Sequence, residues 1–548
     1  MRKGFKLLFT KTLLITFLYA STVTGQSIET QLDKLFSEKY KTDTPGAAVI
    51  VAKKGEIIYH KAFGLSNMEL GTPMKSDNVF EIGSITKQFT SVAILMLLEQ
   101  GKLNIEDEIT KFIPDYPTNG KKITIHHLLN HTSGIKSYTS MNLTEIARKD
   151  MTPTELIDYF KNEPMDFDPG EEWGYNNSGY ILLGYIIEKV SGKTYEDFIE
   201  QDIFKPLGMN NSYYGHKGEV IKNRASGYQK KEDYVNSDYL SMTLPYAAGS
   251  LMSTVEDLYK WQKGLNANTL VKKETLQKAF QNTKLNNGTP TYYGYGWTVN
   301  EINNTPTIEH GGGIFGYTSY GIYIPEKDTY IATLTNCSCN NSPTDVTIQA
   351  ASIVIDKPYN NNTAVNISKD KLKKLIGVYE FEDKAIRIIT LEEDQLYSQR
   401  EGGGKFKIFP KNENNFFFED SFSEIEFIVK DKEIESKFKN RIRVSNGSKT
   451  NKPLPSAKKE IELSQDILKQ YLGTYEIQPG FDLEVRLENG KLISQATGQQ
   501  SFQIRPESET KFFVKEFPAA IEFIKEGGKF DKAILYQGGQ EIPIKRKK

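Results

Sequence analysis

The last third of the chain contains two copies of one sequence, offset by 96 residues. "GVY" at 377–379 corresponds to "GTY" at 473–475, and "IEFI" at 425–428 recurs at 521–524. This agreement without gaps indicates two copies of one folding unit, so we expect two small modules here. Short apolar runs between turn residues in both copies predict all-β barrels, which bury their own strand edges.

Two polar segments separate these modules from each other and from the rest of the chain. "NNNTAVNISKD" at 360–370 precedes the first copy, and the proline-containing segment 448–459 joins the two copies. At 548 residues the chain is also too long for a single core. We therefore predict a first domain over 26–358, one barrel module over 359–455 and a second over 456–548.

Residues 1–25 have the pattern of an export signal. The apolar stretch Leu13–Ala20 follows four basic residues and precedes small residues up to Gly25. This order predicts cleavage before Gln26 and export to the periplasm or the medium, the alternative being a buried N-terminal helix. The stretch is too short to cross a bilayer, and no later segment is long enough, so we expect no transmembrane segment after signal removal.

The charge balance and the cysteine content argue against two classes of function. The 69 Lys and Arg residues are matched by 70 Asp and Glu, so no basic field would attract nucleic acid. The two cysteines are Cys337 and Cys339, and a disulfide between them on a strand would close a small strained ring. Metal binding is supported even less than a disulfide, because two cysteines without a second ligand motif do not make a metal site. We interpret them as two small residues at the end of a strand.

The first domain begins and ends with predicted β-hairpins. Segments 46–64 and 316–336 each consist of an apolar run, a turn and a second run. Between them, 88–100 and 178–191 are typical of buried helices, and each stops at a glycine. Strands at both ends with helices between them predict an α/β domain of the α+β type, an antiparallel sheet covered by helices with an additional helical lobe.

Ser84 and Lys87 stand three residues apart at the start of the first of these helices. The spacing places both side chains on one face, and the helix N-terminus favours negative charge that develops near Ser84. Apolar neighbours are expected to bury Lys87, which disfavours its charged form and suits a proton acceptor. The alternative is an ordinary helix-capping serine followed by a surface lysine.

Two further stretches contain polar residues next to predicted elements. Tyr175 and Asn177 precede the helix at 178–191, where a phenol and a carboxamide can relay a proton and hold a substrate amide. Taken alone, this pair is better explained as a buried tyrosine and a helix-capping asparagine. His310 precedes three glycines in an apparent strand, and such glycines mark the close approach of another backbone or of a ligand. Beside Ser84, such a strand edge would present the N–H groups of an oxyanion hole.

Together these stretches resemble the serine β-lactamase and penicillin-binding hydrolase superfamily in three motifs, in the family's order and spacing: Ser84-x-x-Lys87, Tyr175-x-Asn177 and His310-x-Gly312. The similar branch contains class C β-lactamases, D-Ala-D-Ala carboxypeptidases, D-aminopeptidases and related esterases. Supporting sequence lies at 124–135, 179–192 and 247–254, and the resemblance covers about residues 30–355. It implies a β-lactamase/transpeptidase-like domain, here followed by two lipocalin-like barrels.

The resemblance also implies a role for each motif residue. Ser84 would be the acylated nucleophile, and Lys87 and Tyr175 would share the base and acid roles. The remaining residues would bind the substrate: Asn177 at its amide, His310 and Gly312 along the strand side, and the N–H groups of Ser84 and Gly313 at the oxyanion. No cofactor is implied. His127 and His131 stand four apart as zinc ligands can, but no Glu lies between them and the stretch matches a structural helix of the family, so we predict no metal.

Three functions are compatible with these observations. The first is an acyl-serine hydrolase of small peptides, amides or esters, the second a penicillin-binding sensor with weak turnover, and the third a surface-binding protein whose barrels do the work. The intact motifs favour the first. The sequence does not indicate an oligomeric state.

The positions at which this sequence differs from the family's motifs allow us to rank the possible substrate classes. Class C β-lactamases have Lys-Thr-Gly where this chain has His310-Gly311-Gly312, which argues against β-lactam hydrolysis as the main role. Carboxypeptidases of the family need a cation or hydroxyl for the terminal carboxylate, and 291–320 contains no Lys or Arg. We rank D-aminopeptidase or D-peptide activity first, carboxylesterase second, and carboxypeptidase or β-lactamase third.

The barrels contain no histidine or cysteine and are not expected to do chemistry. One hypothesis is that a barrel loop, "REGGGKF" at 400–406 or "ATGQQSF" at 496–502, borders the cleft and limits substrate size. On that hypothesis, deletion of 456–548 or of 359–548 would preserve acylation at Ser84 and change selectivity. The alternative is that the barrels only solubilise the protein or bind surfaces.

Overall fold

The computed structural model describes residues 26–547 apart from short gaps at 216–217, 340–341, 359–361, 420, 431–432, 456–459, 479–480, 498–500, 516–518 and 538–539. Residues 1–25, on which the export prediction rests, lie outside the described residues. No helix in the described part of the chain has both the length and the apolar character that a bilayer crossing requires.

The first domain contains both strands and helices. Its strands are β1 (Ala47–Lys53), β2 (Glu56–Phe63), β3 (Leu65–Asn67), β4 (Thr72–Pro73), β5 (Phe80–Glu81), β6 (Tyr213–Tyr214), β7 (Tyr228–Lys230), β8 (Tyr234–Asn236), β9 (Leu251–Ser253), β10 (Thr298–Ile302), β11 (Thr305–Ile314), β12 (Tyr317–Ile324) and β13 (Thr329–Thr335). Its helices are α1 (Ile28–Lys39), α2 (Thr86–Glu99), α3 (Ile125–Leu129), α4 (Leu143–Ile146), α5 (Pro153–Phe160), α6 (Asn177–Ser191), α7 (Tyr195–Ile199), α8 (Lys205–Leu207), α9 (Tyr246–Gly249), α10 (Val255–Asn266), α11 (Lys273–Ala279) and α12 (Pro343–Val354).

The main sheet of this domain is antiparallel, and its central strands β1 and β13 are buried on both faces. Its strand order is β10-β11-β12-β13-β1-β2. Alternate residues of β1 enter different cores because successive side chains of a strand point to opposite faces. Ala48 and Ile50 pack with the helical lobe around α2 and α6, whereas Val49 and Val51 pack with α1 and α12. This double burial explains the continuous apolar run of β1.

The segment after residue 368 forms two closed barrels, each preceded by a short helix, α13 (Lys369–Leu375) or α14 (Gln465–Leu468). Barrel 1 consists of β14 (Gly377–Phe381), β15 (Ile386–Glu392), β16 (Gln395–Arg400), β17 (Lys405–Pro410), β18 (Asn415–Phe418), β19 (Ser423–Lys430), β20 (Glu433–Asn440) and β21 (Arg443–Lys449). Barrel 2 consists of β22 (Gly473–Gln478), β23 (Phe481–Glu488), β24 (Lys491–Ala496), β25 (Ser501–Pro506), β26 (Lys511–Val514), β27 (Ala519–Glu526), β28 (Lys529–Gln537) and β29 (Gln540–Arg546). The predicted fold class, an α+β domain followed by two all-β barrels, is confirmed.

The two cysteines differ from the prediction. Cys337 and Cys339 form a disulfide, with their Cα atoms 5.1 Å apart. β13 ends at Thr335, so the cysteines do not lie on a strand but in the bend that follows it. Because the chain turns there, two residues at this spacing can bring their sulfur atoms together, and our interpretation of them as two small, unlinked residues at the end of a strand was wrong.

Candidate active site

Ser84 stands on a sharp turn between a strand and a helix. β5 ends at Glu81, and a 3-10 turn, Gly83–Ile85, leads directly into α2. Gly83 adopts φ +53°, a left-handed conformation that glycine adopts without a Cβ penalty. The turn leaves Ser84 half-buried at the N-terminal end of α2, where the helix dipole favours developing negative charge.

Lys87 lies in the first turn of α2 with its side chain fully buried. Its Nζ is 3.1 Å from Ser84 Oγ, 2.8 Å from Asn177 Oδ1 and 2.9 Å from the backbone oxygen of Ala248. Burial holds the pKa of Lys87 well below the usual lysine value, because the charged form loses its hydration.

A neutral amine at Lys87 matches these three partners. The oxygens of Asn177 and Ala248 can only accept hydrogen bonds, so they take the two N–H groups of a neutral Nζ. The lone pair of the nitrogen then faces the Ser84 hydroxyl, which can donate. This arrangement allows Lys87 to accept the proton of Ser84.

Tyr175 borders Ser84 from the other side. Its hydroxyl hydrogen-bonds Ser84, and its ring centre lies 4.8 Å from Lys87 Nζ. The surrounding protein desolvates the phenolate and raises the pKa of Tyr175, and the bond with Ser84 opposes this shift only in part. Tyr175 is 38% exposed, so a neutral phenol that can pass on a proton faces the cleft.

Asn177 is the first residue of α6 and has a firmly held side chain. Besides the bond from Lys87 to its oxygen, its Nδ2 donates to Thr139 Oγ1 at 3.0 Å. Its backbone N–H donates to Ser137 Oγ at 3.2 Å. The helix cap is Asn176, whose side chain accepts the N–H of Gly179. Asn177 is thus not the helix cap, and its carboxamide oxygen points to Lys87.

His310 forms the strand side of the site on β11. Its Nε2 is 2.8 Å from the hydroxyl of Tyr293, and its Nδ1 is 2.5 Å from the backbone oxygen of Gly311. That oxygen can only accept, so Nδ1 carries the proton and Nε2 accepts from Tyr293. Burial, together with the nearby Lys87, lowers the pKa of His310 to about 4. His310 is therefore an uncharged ring at neutral pH.

The glycines after His310 allow β11 to touch the turn that carries Ser84. A β-carbon on Gly312 would lie 2.0 Å from the backbone oxygen of Ile82, and one on Gly83 would lie 2.9 Å from the nitrogen of Gly313. Ser319 on β12 completes the contact, with its hydroxyl donating to the Ile82 oxygen at 2.8 Å. The backbones of Gly313 and of the Ser84 turn thus form one wall, as an oxyanion hole requires.

Comparison with known proteins shows the family to which the chain belongs. The profile of the family described as "Beta-lactamase" matches residues 30–353. Penicillin-binding protein 4* of Bacillus subtilis (strain 168) is 32% identical over 432 residues, which cover 74% of this chain and 94% of that protein. The chain belongs to the beta-lactamase family. It has the β-lactamase fold of serine hydrolases, and a penicillin-binding protein is among its relatives.

Two solved structures are also similar to this chain. The octameric penicillin-binding protein homologue from Pyrococcus abyssi has a TM-score of 0.56 at 31% identity and covers 76% of this chain and 99% of that chain. The D-amino acid amidase from Ochrobactrum anthropi SV3 has a TM-score of 0.53 and covers 60% of this chain and 99% of its own. At 23% identity the amidase shows the shared fold alone. A domain of unknown function, DUF3471, matches residues 457–546, which include barrel 2.

His131, which the sequence indicated only as part of a structural helix, lies against the site. Its backbone oxygen accepts the N–H of Gly174 at 3.0 Å, and its Nδ1 accepts the N–H of Asn176 at 3.1 Å. Its ring centre lies 4.4 Å from that of Tyr175. His131 therefore holds the loop on both sides of Tyr175. α3 ends at Leu129, so the spacing of four from His127 is not a helical repeat, and the two rings serve different purposes.

Tyr293 and Arg441 were also missed. Tyr293 bonds His310, as described above, and Arg441 of barrel 1 bonds Glu309, the residue before His310, through both carboxylate oxygens at 2.6 and 2.7 Å. A second barrel 1 arginine, Arg443, lies 5.4 Å from the ring centre of Tyr292. The segment 291–320 lacks Lys and Arg in sequence, but the fold brings two arginines to it. Among the described residues, no group of three or more His, Cys, Asp or Glu is arranged to hold a metal ion.

Gly312→Ala should disturb both stability and activity. The new methyl group would lie 2.0 Å from the Ile82 oxygen and 2.3 Å from Ser319 Oγ, so β11 must move away from the Ser84 turn. We expect a loss of about 1–3 kcal/mol in the free energy of unfolding, as for other overpacked sites. The misplaced strand should slow acylation about a hundredfold. Urea denaturation and the rate of covalent labelling by a fluorophosphonate probe measure the two effects.

Gly313→Ala is the matched control for stability. A β-carbon on Gly313 has nothing within 4 Å, so its stability should stay within about 0.5 kcal/mol of the wild type. Equal stability of Gly312→Ala and Gly313→Ala would contradict the close packing of β11 against the turn.

Proposed function

We propose that this protein is an exported serine hydrolase that forms an acyl-enzyme on Ser84 and cleaves small amides or peptides, of the D-aminopeptidase or D-peptide type. The observation that carries the proposal is the buried Lys87, with Nζ 3.1 Å from Ser84 Oγ and a pKa lowered by burial. A buried lysine with a lowered pKa does not form a surface salt bridge, and it is suited to act as a general base. Export rests on the sequence of residues 1–25.

The first step is the attack of Ser84 Oγ on the substrate carbonyl carbon. The hydroxyl proton moves to the neutral Nζ of Lys87 as the new bond forms. The carbonyl oxygen gains negative charge and accepts hydrogen bonds from the N–H groups of Ser84 and Gly313. The end of α2 adds a favourable dipole at the same place.

The second step is the departure of the amine. An amide nitrogen leaves only after it has gained a proton, and Tyr175 is a neutral phenol in contact with Ser84. Tyr175 donates its proton to the leaving nitrogen and regains one from Lys87. Water then attacks the acyl-enzyme, and the same groups take and return its proton, which releases the acid and restores Ser84.

The ranking of substrates rests on the strand side of the cleft. His310 is uncharged at neutral pH, and both of its nitrogens have partners within the protein. The guanidinium of Arg441 is engaged by Glu309. Neither residue therefore offers a terminal carboxylate a cation that is not already engaged, whereas a neutral amide or ester needs no cation.

Substrates that end in a carboxylate should be poor. We expect kcat/KM for a D-Ala-D-Ala peptide to be about 10- to 100-fold below that for the matching D-alanine amide or p-nitrophenyl ester, the scale of one missing hydrogen bond to a charged group. A panel of L- and D-amino-acid amides, p-nitrophenyl esters, the peptide and nitrocefin measures the order. Faster cleavage of the peptide would contradict the ranking. If Arg443→Ala then removed that preference, Arg443 would be the carboxylate anchor.

A second candidate is a penicillin-binding protein that acylates once and hydrolyses slowly. It is favoured by the relatives that carry this name, with penicillin-binding protein 4* at 32% identity. The two candidates differ after acylation. A hydrolase releases product from esters through many turnovers, whereas a sensor gives one equivalent of product per Ser84 and stops.

A further inference from the structure

The hairpin between β20 and β21 connects barrel 1 to the first domain. β20 ends at Asn440 and β21 begins at Arg443, so only two residues form the turn. Arg441, the first of them, adopts φ +55°. Its side chain is buried, although it stands at the tip of a hairpin, because the tip enters the first domain.

Among the described residues, every hydrogen-bond partner of the Arg441 side chain lies in that domain. Its Nη1 and Nη2 donate to the two carboxylate oxygens of Glu309 at 2.6 and 2.7 Å, a paired geometry that only arginine provides. Its Nε donates to the backbone oxygen of Glu301 at 2.6 Å, and Nη2 also donates to Thr307 Oγ1 at 3.1 Å. The backbone N–H of Ile442 donates to Asn300 Oδ1 at 3.3 Å.

These contacts join two neighbouring strands. Glu301 lies on β10, the edge strand of the sheet, and Glu309 lies on β11. Glu309 is 2% exposed, so without Arg441 it would be a buried carboxylate that has lost its countercharge. The residues that follow Glu309 on β11 are His310 and the glycines that touch the Ser84 turn. A shift of Glu309 is therefore transmitted along the strand to the oxyanion wall.

We propose that Arg441 is a positioning residue of the hydrolase: through Glu309 and Glu301 it holds β11 in register beside Ser84, so that barrel 1 forms part of the active-site support. The inference rests on the proposed function of Ser84. Arg441 touches no reacting atom, and its effect passes through the strand.

This assignment changes two expectations for the barrels. Residues Glu401–Lys405 of the candidate loop 400–406 line a groove that faces barrel 2. Part of the other candidate loop, 498–500, lies outside the described residues. Deletion of 359–548 would remove Arg441 and expose the unpaired Glu309, so we no longer expect that truncation to preserve acylation. Deletion of 456–548 leaves Arg441 in place.

The test compares four full-length proteins with the wild type: Arg441→Ala, Arg441→Lys, the double variant Arg441→Met with Glu309→Gln, and Lys439→Ala. The double variant removes the buried charge along with its partner, so it keeps the comparison open if Arg441→Ala does not fold. Lys439 is the matched control, because it lies on the same hairpin and forms a partly exposed ion pair with Glu301 at 3.1 Å. One readout is the rate constant of Ser84 acylation by a p-nitrophenyl ester at saturation, measured separately from KM. The other is hydrogen–deuterium exchange of 305–314.

We expect both Arg441→Ala and the double variant to acylate about 10- to 100-fold more slowly with little change in KM, the scale of a small misplacement of catalytic groups. Arg441→Lys, which keeps the charge without the paired geometry, should fall between them and the wild type. Segment 305–314 should exchange faster in the slow variants and not in Lys439→Ala. The inference is overturned if the double variant acylates at the wild-type rate, or if Lys439→Ala is slowed as much as Arg441→Ala. A wild type that is never acylated refutes the proposed function instead, and the exchange of 305–314 then decides whether Arg441 holds the strand.

Discussion

Ser84→Ala should lower kcat/KM for every ester and amide substrate by about 10⁴- to 10⁶-fold, as expected for removal of the nucleophile from a catalytic unit. The alanine has no atom that can attack the carbonyl or carry the acyl group. Lys87 and Tyr175 would remain in place, but neither can replace the hydroxyl between them. Steady-state hydrolysis of a p-nitrophenyl ester measures the loss.

Ser91→Ala is the matched control. Ser91 is the buried serine of α2, about two helical turns beyond Ser84, and its hydroxyl lies 3.1 Å from that of Tyr180. We expect its activity to remain within a few-fold of the wild type. A Ser84→Ala protein that kept a tenth or more of the wild-type rate would show that the reaction does not pass through Ser84.

Lys87→Met should reduce the rate of acylation by about 10³-fold or more, within the range of general base catalysis and nucleophile activation combined. Methionine fills a similar volume but cannot accept the Ser84 proton. The oxygens of Asn177 and Ala248 lose their donor as well, a cost of about 1–3 kcal/mol for unsatisfied buried groups that opposes the gain from no longer burying an amine. Single-turnover labelling separates the loss of rate from any loss of fold.

The pH dependence of the wild type provides a second test of Lys87. Because burial lowers its pKa in the folded state, the rate should rise along an acidic limb as Lys87 loses its proton and should level off well below the usual lysine pKa of about 10.4. The raised pKa of Tyr175 keeps the phenol protonated over that plateau. A rate that still climbs through about pH 10 would exclude Lys87 as the base.

The same shift affects stability. The unfolded chain binds a proton at Lys87 at higher pH than the folded protein does, so the contribution of this group to the free energy of unfolding rises with pH. The rise spans the interval from the lowered folded pKa up to about 10.4 and is absent in Lys87→Met.

The parts of the fold that the sequence predicted correctly are those set by local contacts or by repetition. β1 and β2, like β12 and β13, are neighbours in both sequence and sheet, so their apolar runs and the turn residues between them suffice to predict them. The barrels followed from the repeat, since each copy must close on itself. The way in which the helices of the first domain's helical lobe pack against one another depends on contacts between distant residues, so no local pattern predicts it.

The candidate site was predictable only as far as its motifs. Ser84 and Lys87 share one helical turn, whereas their approach to Tyr175, Asn177 and β11 depends on how α2, α6 and the sheet pack. We could predict that these residues lie close together only from the resemblance to a family, not from their spacing in the sequence. The glycines at 312 and 313 are an intermediate case, because a missing Cβ signals close contact without naming the partner.

The residues that were missed act across long separations. Arg441 and Glu309 are 132 positions apart and lie in different folding units, so no periodicity connects them. His131 was assigned to a helix that in fact ends at Leu129, and its burial beneath Tyr175 is a tertiary contact. A single buried ion pair or a single buried ring leaves no repeating pattern in a sequence, so its partners cannot be predicted from one sequence.

The most direct test of the account is the site of the acyl group. The wild type is mixed with p-nitrophenyl acetate, quenched in acid during the burst and digested, and the peptides are analysed by mass spectrometry. The account predicts one acetyl group per chain, on the peptide that contains Ser84 and at that residue, and none in Ser84→Ala. An acetyl group on another residue in both proteins, or product release without any acetylated chain, would contradict an acyl-enzyme at Ser84.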